Sequence, residues 1–584
     1  MRRSAHAFVT ILALLAAPNL AAADKPNVII VLPDDQGYGD FAGHGNPRLK
    51  TPELDRFRDE AVRLTDFHVA PMCTPTRAQL LTGRDALDNG AMNVSSGRTL
   101  LRQDLPTMAN VFAEAGYRTG IFGKWHLGDN YPYRPQDRGF EETLWFPSSH
   151  IGSSSDAWNN DYFNDRYQHN GKLEQFQGYC TDVFFGEAMK WIRARRAAGE
   201  PFFAYIPLNA AHGPLFVEDK YREPYRDLPP NVASFFGMIA NIDENVGALD
   251  RMLRETGLRD NTILIFFTDN GGTAGVNFYN AGMTGSKVTL WEGGHRVPLF
   301  IRWPQGGIGG GRDVAELTQA QDLLPTLIEL CGLRTPPGAD FDGVSLAGLL
   351  RGQTDSLADR MLVVQFSRMD VQKPQWGDAA ILWNKWRLLH LTRLYDVSSD
   401  LAQQRNVAAE HPEVAALMRA HYEQWWREVQ PRLDSYLPVH IGSDQENPAL
   451  LSPTEWADSF LDQSRQVRAG IQRNGIWHIF VEQPGQYEFT LRRWPRDVDA
   501  PMRAGLPPHD GEDGDYPAGV ALPIARAKLK VRYAEMSKPV GSDDQEVKFT
   551  TQLGYGRTLL QTWFHDESGN ELCGAYYVYV ERKK

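Results

Sequence analysis

Two apolar runs constrain the fold of this 584-residue chain more than any other feature. Residues 27–32 (NVIIVL) and 262–267 (TILIFF) are apolar along nearly their whole length and do not alternate with polar residues. Strands of this kind are buried on both faces, which is typical of a parallel sheet covered by helices. Amphipathic helical patterns at 52–63 and 181–196 lie between the two runs. We therefore predict an α/β fold with a large, mixed, mostly parallel sheet flanked by helices.

Oxygen-bearing side chains follow both runs. Asp34 and Asp35 come after the first run, and Asp269 and Asn270 come after the second. Ligands of open α/β sheets bind at the carboxyl ends of the strands, so we expect these four residues to meet in space. Adjacent carboxylates are costly to bury without a cation or a hydrogen-bond network, and oxygen donors suit Ca²⁺ better than Mg²⁺ here. A solvated, glycine-containing turn is the alternative interpretation at the first strand.

Histidines and lysines follow other predicted strands. A strand at 117–122 leads into Lys124 and His126, which would face the same side of an extended segment. His212 follows another buried strand, and Lys287 precedes a further one. Chance surface residues would explain any one of these positions equally well. The repeated arrangement of an apolar strand followed by a polar residue makes His126 a candidate base and Lys124 a candidate anion contact.

The segment 71–84 carries a cysteine where a loop is expected to become a helix. Pro75 fits the first helical turn, where its missing N–H costs no hydrogen bond. A helix N-terminus offers free N–H groups and a positive potential to an oxyanion. Arg77 adds a permanent cation that can hold an anion or orient the group at Cys73. The alternative interpretation is a buried cysteine beside a surface arginine.

The N-terminus has the pattern of a secretory signal peptide. Arg2 and Arg3 provide a positive start, an apolar stretch follows at 8–17, and small residues come before Asp24. This segment is too short for a membrane anchor, and no later stretch reaches membrane-spanning length. We predict that residues 1–23 are removed and that the chain is exported, to the periplasm or the medium.

Charge and cysteine content exclude several classes of protein. The formal net charge of -12 argues against nonspecific nucleic-acid binding, because no excess of basic residues exists to neutralise phosphates. Four cysteines are too few for a disulfide scaffold in an exported chain of this length. If Cys73 is chemically committed, at most one bridge remains among Cys180, Cys331 and Cys573, and the sequence does not determine which pair.

The patterns after the main sheet divide the chain further. A catalytic α/β domain at 24–350 is predicted to be followed by a small α+β unit at 351–432, in which residues 379–389 are predicted to form one short strand. Beyond a loop rich in Pro, Ser, Asp and Asn, short strand and turn signals without helices predict an all-β sandwich at 433–584. Its aromatic residues could stack on sugar, but alternating spacing around Trp477 favours a core position.

Taken together, the motifs of residues 25–430 resemble the formylglycine-dependent sulfatases of the alkaline-phosphatase superfamily. Cys73-Thr74-Pro75-Thr76-Arg77 resembles the family signature, with threonine at 76 in place of the commoner serine, and Leu81-Thr82-Gly83-Arg84 resembles its continuation. The remaining motifs follow in the family's order: Asp34-Asp35, Gly123-Lys124-Trp125-His126, His212, Asp269-Asn270-Gly271, and Lys287 with Glu292-Gly293-Gly294.

The resemblance implies an arylsulfatase-type sulfuric ester hydrolase. It implies that a formylglycine-generating or anaerobic sulfatase-maturing enzyme oxidises Cys73 to formylglycine (3-oxoalanine). The hydrated aldehyde would supply the nucleophile beside a calcium ion. The implied metal ligands are Asp34, Asp35, Asp269, Asn270 and the residue-73 oxygen.

The same resemblance assigns roles to the remaining site residues. Lys124 and Lys287 would hold the sulfate oxygens. His212 would protonate the leaving alcohol, with Lys287 nearby, and His126 would take a proton from residue 73. Arg77 would support the diol.

The predicted substrate is a sulfated carbohydrate, with small aryl sulfates as surrogates. A phosphodiester or phosphonate monoester hydrolase with the same nucleophile is the nearest alternative, because both anions are tetrahedral. Two lysines and one metal ion suit the monoanionic sulfate ester better. A second alternative is an inactive secreted sugar-binding protein in which Cys73 stays a thiol.

Overall fold

The computed structural model describes residues 25–367 and 373–583, so the predicted signal peptide at 1–23 lies outside the described residues. The strands, in chain order, are β1 (Asn27–Leu32), β2 (Val62–Leu64), β3 (Phe67–His68), β4 (Arg118–Lys124), β5 (Glu142–Phe146), β6 (Arg166–His169), β7 (Lys172–Gln175), β8 (Phe202–Pro207), β9 (Thr262–Phe267), β10 (Leu299–Arg302), β11 (Arg312–Val314), β12 (Thr318–Gln319), β13 (Leu362–Val364), β14 (Ala380–Trp383), β15 (Trp386–Leu389), β16 (Arg393–Asp396), β17 (Val439–Ile441), β18 (Ala449–Leu451), β19 (Ile476–Val481), β20 (Gly485–Arg492), β21 (Arg526–Val531), β22 (Ala534–Pro539), β23 (Val547–Leu553), β24 (Gly556–His565), β25 (Glu571–Cys573) and β26 (Tyr577–Lys583). The α-helices are α1 (Pro52–Glu60), α2 (Cys73–Thr82), α3 (Met108–Glu114), α4 (Cys180–Ala198), α5 (Asp219–Arg222), α6 (Pro230–Glu255), α7 (Glu292–His295), α8 (Leu323–Leu330), α9 (Ala347–Leu350), α10 (Pro412–Val429) and α11 (Ser464–Arg468).

Over the described ranges, none of these helices has both the length and the apolar character needed to cross a membrane.

The main sheet has ten strands in the order β11-β2-β10-β9-β1-β8-β4-β5-β6-β7. Its centre is parallel: β1 pairs in parallel with both β8 and β9, and β4 pairs in parallel with β8 and β5. Strands β10, β6 and β7 add antiparallel pairings toward the edges. The predicted large, mixed, mostly parallel sheet is therefore confirmed.

Helices cover both faces of this sheet because the central strands are apolar on both sides. Along β1, Ile29 and Val31 enter the core that contains α1, α4 and α6, whereas Val28 and Ile30 enter the core that contains α2, α3 and α8. Successive side chains of a strand point to opposite faces, so one continuous apolar run supplies two cores.

Three details differ from the sequence expectations. The helix predicted over 52–63 ends at Glu60, and the chain turns into β2. The single strand predicted over 379–389 is the hairpin β14–β15, because Asn384 takes a left-handed φ of 49° and reverses the chain. The longest helix, α6, was not predicted, although its inner face carries much of one core.

Two smaller sheet systems follow the main sheet. Strands β13 to β16 form an antiparallel sheet that packs against α10. The C-terminal part has a six-stranded and a four-stranded sheet that share one apolar core, and Trp477, Tyr487 and Trp494 are buried within it. The short helix α11 interrupts a region predicted to lack helices. The domain boundaries at 350 and 432 stay predictions.

Candidate active site

Four strands of the parallel centre end at one edge of the sheet, and each leads into a predicted site residue. Asp34 and Asp35 follow β1, Asp269 follows β9, His212 follows β8, and Lys124 ends β4. The register holds the ends of β1 and β9 together, with Asp269 N–H donating to the Pro33 carbonyl at 3.3 Å. The sheet topology thus brings together groups that are far apart in sequence.

Asp34, Asp35, Cys73 and Asp269 form one buried cluster, in which a ligand atom from each lies within 4.8 Å of the others. Asn270 stands beside them and donates its Nδ2–H to Asp35 Oδ1 at 2.9 Å. Its carbonyl oxygen Oδ1 is buried and has no hydrogen-bond partner within the described ranges. A buried oxygen without a partner is costly, so this atom is suited to a cation.

Helix α2 begins at Cys73, as the segment's composition predicted, and all ten of its residues are buried. The Cys73 thiol donates to Asp34 Oδ1 at 3.2 Å, and Lys287 Nζ lies 3.4 Å from the sulfur. Burial, reinforced by Asp34, raises the pKa of the Cys73 thiol well above its ordinary value. The encoded thiol is therefore a poor nucleophile at neutral pH.

Each carboxylate of the cluster has a cation. Lys124 Nζ donates to Asp34 Oδ2, and Lys287 Nζ donates to Asp35 Oδ1 at 2.5 Å. Burial alone would raise the pKa of Asp34, but Lys124 and the neighbouring cations hold it well below its ordinary value. At Asp269 burial prevails and raises the pKa to about 6. A divalent cation together with a monoanionic sulfate ester would add one net positive charge to this cluster.

Arg77 is hydrogen-bonded to the cluster through Asp269. Its guanidinium donates to Asp269 Oδ2 at 2.7 and 3.1 Å and to the Lys124 carbonyl at 3.3 Å. The sequence left open whether Arg77 holds an anion or orients position 73. The contacts show that it fixes a carboxylate of the cluster.

The two histidines have different free nitrogens. His126 Nε2 lies 3.0 Å from the Val94 carbonyl, which can only accept, so Nε2 carries the proton and Nδ1 keeps its lone pair. His126 Nδ1 is buried, without a partner in the described part of the chain. His212 donates its Nδ1–H to the Gly213 carbonyl at 2.7 Å, which leaves Nε2 free, 3.9 Å from Asp35 Oδ2.

Burial governs the charge of both rings. It lowers the pKa of His126 well below its ordinary value, and Lys124 adds to this effect. It lowers the pKa of His212 to about 3, with Lys287 as the next cause. Both imidazoles are therefore neutral in the substrate-free protein near pH 7.

Lys124 and His126 reach the site differently from the prediction of a shared strand face. The strand β4 ends at Lys124, and His126 has a left-handed φ of 58°. The turn after the strand separates the two side chains: Lys124 lies on Asp34, and His126 faces a cavity above Cys73.

That cavity has a volume of about 400 Å³ and opens over the cluster. Four of the predicted site residues line it: Cys73, His126, His212 and Lys287. Sequence reasoning missed other lining residues, among them Ser149, Thr273, Ser286, Val288, Phe460, Asp462 and Gln463. His150 also lines it and stacks on His212, with ring centroids 5.1 Å apart. No motif singled out Asp462, which belongs to the C-terminal part of the chain.

A second group of possible metal ligands, His68, Glu292 and His295, is already satisfied by protein contacts. Glu292 accepts from Arg387 at 2.8 Å and from Arg296 at 3.2 Å, and the two histidine Nδ1 atoms lie 2.9 Å apart. Guanidinium groups fill the carboxylate oxygens that a cation would need. We interpret this cluster as a structural link between α7 and β15.

The fold and the oxygen-rich site at the carboxyl edge of its sheet define a hydrolase of the alkaline-phosphatase superfamily. A family described as Sulfatase matches residues 26–333, more than half of the chain. The chain belongs to the sulfatase family and is a sulfuric ester hydrolase. A second family, described as N-sulphoglucosamine sulphohydrolase, C-terminal, matches residues 286–431.

Individual relatives agree with this assignment. N-acetylgalactosamine-6-sulfatase of Canis lupus familiaris is 32% identical over 381 residues, covering 60% of this chain and 71% of the relative. Arylsulfatase G of Mus musculus is 31% identical over 474 residues, covering 74% and 86%. Among solved structures, Ps i-CgsB in complex with k-i-k-neocarrahexaose has 25% identity and a TM-score of 0.62, covering 69% of this chain and 92% of that chain.

Proposed function

We propose that this protein is an exported carbohydrate sulfatase that uses a formylglycine made from Cys73 and a bound calcium ion. The observation that carries the proposal is the cluster of three carboxylates around residue 73, at the floor of a cavity that His126 and His212 line together with His150. Export rests on the signal-peptide pattern of residues 1–23. No membrane anchor or nucleic-acid partner is part of the proposal.

The residues fit the implied metal. Asp34, Asp35, Asp269 and Asn270 offer only hard oxygen donors, and the free Asn270 oxygen supplies one that is neutral. Calcium accepts this kind of irregular oxygen shell more readily than magnesium does. When bound, the ion would supply positive charge beside residue 73, and the hydrated aldehyde would supply the attacking oxygen.

The lysines would bind the transferred group. Lys287 lines the cavity, and Lys124 lies fully buried beneath it on Asp34. Fixed ammonium groups in a site without water stabilise the charge that develops on sulfate oxygens as the ester bond breaks. Arg77 would act on the reaction through Asp269, because its guanidinium holds that carboxylate.

The two histidines would transfer protons in opposite directions, His126 as the acceptor and His212 as the donor. The free Nδ1 lone pair of His126 would accept a proton from the residue-73 hydroxyl as sulfate is released. His212 would donate a proton from Nε2 to the leaving alcohol oxygen. Its pKa, lowered by burial and Lys287, would rise when an anionic ester occupies the cavity, since a nearby negative charge favours the imidazolium.

His212→Gln tests the proton donor. We expect kcat/KM for a sugar sulfate to fall by about 10²- to 10⁴-fold, the usual contribution of a general acid. Loss on 4-nitrophenyl sulfate should be much smaller, because 4-nitrophenolate leaves without a proton. The remote variant His565→Gln should leave both rates unchanged. An equal loss on both esters would assign His212 to sulfate binding and remove it as the acid.

The names of similar proteins support the proposed substrate class. One relative is named N-acetylgalactosamine-6-sulfatase, and one structural neighbour is described in complex with k-i-k-neocarrahexaose. A sulfated carbohydrate is therefore the proposed substrate, with aryl sulfates as surrogates.

The proposal is tested on protein made in cells that contain a maturing enzyme. Mass spectrometry of the peptide that holds residue 73 should show an aldehyde in place of the thiol. The same protein should hydrolyse 4-nitrophenyl sulfate faster than bis(4-nitrophenyl) phosphate. Preference for the phosphodiester would favour the alternative hydrolase, and an unmodified thiol without hydrolysis would favour the inactive sugar-binding protein.

A further inference from the structure

We propose that Asp462, from the C-terminal β unit, selects the substrate by accepting a hydrogen bond from a sugar hydroxyl next to the scissile sulfate. This inference rests on the proposed carbohydrate sulfatase function and deepens it. Asp462 lines the same cavity as Cys73, His126 and Lys287, although it lies in a part of the chain that neither family match covers.

Backbone pairing fixes the segment that carries Asp462 against the catalytic sheet. The Ser154 N–H donates to the Asp462 carbonyl at 2.7 Å, and the Ser464 N–H donates to the Gly152 carbonyl at 3.2 Å. The Asp462 N–H is in turn held by Gln466 Oε1 at 3.0 Å, at the start of α11. The carboxylate therefore stands on a rigid support, as a site that recognises one geometry requires.

One carboxylate oxygen of Asp462 accepts a hydrogen bond from the protein and the other does not. Oδ2 accepts the Ser149 hydroxyl at 3.1 Å, and the same Ser149 Oγ lies 2.7 Å from His150 Nδ1. Oδ1 is buried and has no hydrogen-bond partner within the described ranges, in a residue that is 4% exposed. An unfilled acceptor in a substrate cavity is satisfied when a ligand supplies a donor.

The charge of Asp462 indicates which group of the substrate it can bind. Lys124 and Lys287 act on Asp462 electrostatically, but they are bound to Asp34 and Asp35, so Asp462 has neither of them as a direct partner. Burial raises the pKa of Asp462 to about 6, which leaves it ionised above neutral pH. An ionised carboxylate accepts a hydrogen bond from a hydroxyl and repels a second sulfate at the same place.

Asp462→Ala and Asp462→Asn test the inference in the matured protein. The probes are the monosulfated sugar that the wild-type protein cleaves fastest among 6-sulfated and 4-sulfated hexosamines and galactoses, and 4-nitrophenyl sulfate, which has no hydroxyl donor. We expect Asp462→Ala to lower kcat/KM for the sugar by about 10- to 100-fold, the range for one hydrogen bond to a charged group. Loss on the aryl sulfate should stay within about twofold.

Asp462→Asn separates hydrogen bonding from charge. Its amide can still meet a hydroxyl, since a hydroxyl both donates and accepts, so the sugar rate should be partly restored relative to alanine. Removal of the charge should raise the rate on a disulfated sugar relative to the monosulfated one. Asp458→Asn, an exposed aspartate in the same segment, is the matched control and should behave as wild type.

Two results would overturn the inference. Equal losses on sugar and aryl sulfate would assign Asp462 to the fold or the sulfate site, and unchanged kinetics would leave it no role in recognition. Thermal unfolding of each variant identifies a folding defect. Failure of the proposed function would give a different result from failure of this inference, because the wild-type protein itself would then cleave no sugar sulfate.

Discussion

Cys73→Ala is expected to lower the hydrolysis of every sulfate ester by about 10⁴-fold or more, the scale seen when a covalent nucleophile is removed. The loss should appear with sugar and aryl substrates alike, because the group at position 73 acts on sulfur and not on the leaving alcohol. Thermal stability should change little, since the polar partners of the thiol, Asp34 and Lys287, keep their ion pairs with Lys124 and Asp35. Steady-state kinetics and thermal unfolding of the matured protein measure both quantities.

Two controls separate modification from simple loss of a thiol. Cys180→Ala removes another buried thiol, at the start of α4, and should keep wild-type rates. Wild-type protein from cells without a maturing enzyme should be as inactive as Cys73→Ala, because burial and Asp34 keep the thiol protonated. Full activity in that unmodified protein would show that formylglycine is not needed.

Asp269→Asn is the second substitution with a large expected effect. It keeps the shape of the side chain but removes a charge from the metal cluster, so we expect activity to fall by about 10²- to 10³-fold. It also leaves the buried Arg77 facing a neutral amide, and breaking such a pair costs about 3–5 kcal/mol of stability. Calcium titration of the chelator-treated protein by calorimetry should show weaker binding, independently of activity.

Asp40→Asn is the matched control for that experiment. Asp40 is also a buried carboxylate, but it lies outside the cluster and accepts the Gly37 N–H at 2.8 Å. Burial raises the pKa of Asp40 to about 7, so exchange for an amide changes the local charge little near neutral pH. Calcium affinity that is equal in Asp269→Asn and wild type would contradict the proposed ligand set.

The sequence was sufficient for the central fold because its signals there are local. Apolar runs such as 262–267 predict buried parallel strands without reference to the rest of the chain, and the sheet confirms them. The hairpin at Asn384 was missed because apolar residues flank its turn and hide it within one run. Helix α6 was missed although its apolar residues carry much of one core.

The candidate site, too, was predicted in part from local sequence signals and in part only from the tertiary structure. Asp34, Asp35, Asp269 and Cys73 were chosen from strand ends and a helix start, and they do form one cluster. The contacts of Arg77 could not be predicted from its position in the sequence. A guanidinium can reach several anions, and only the packed geometry selects Asp269.

The sequence by itself determined which reactive side chains this protein carries and which strand each of them follows along the chain. The burial of a strand and the start of a helix depend on neighbouring residues, so local composition was enough. Only the tertiary structure decided the tautomer of His126, the partner of Arg77 and the entry of Asp462 into the cavity. Those facts depend on contacts between segments distant in the chain, and the physical reason is that close packing, not composition, decides which of several possible partners a side chain meets.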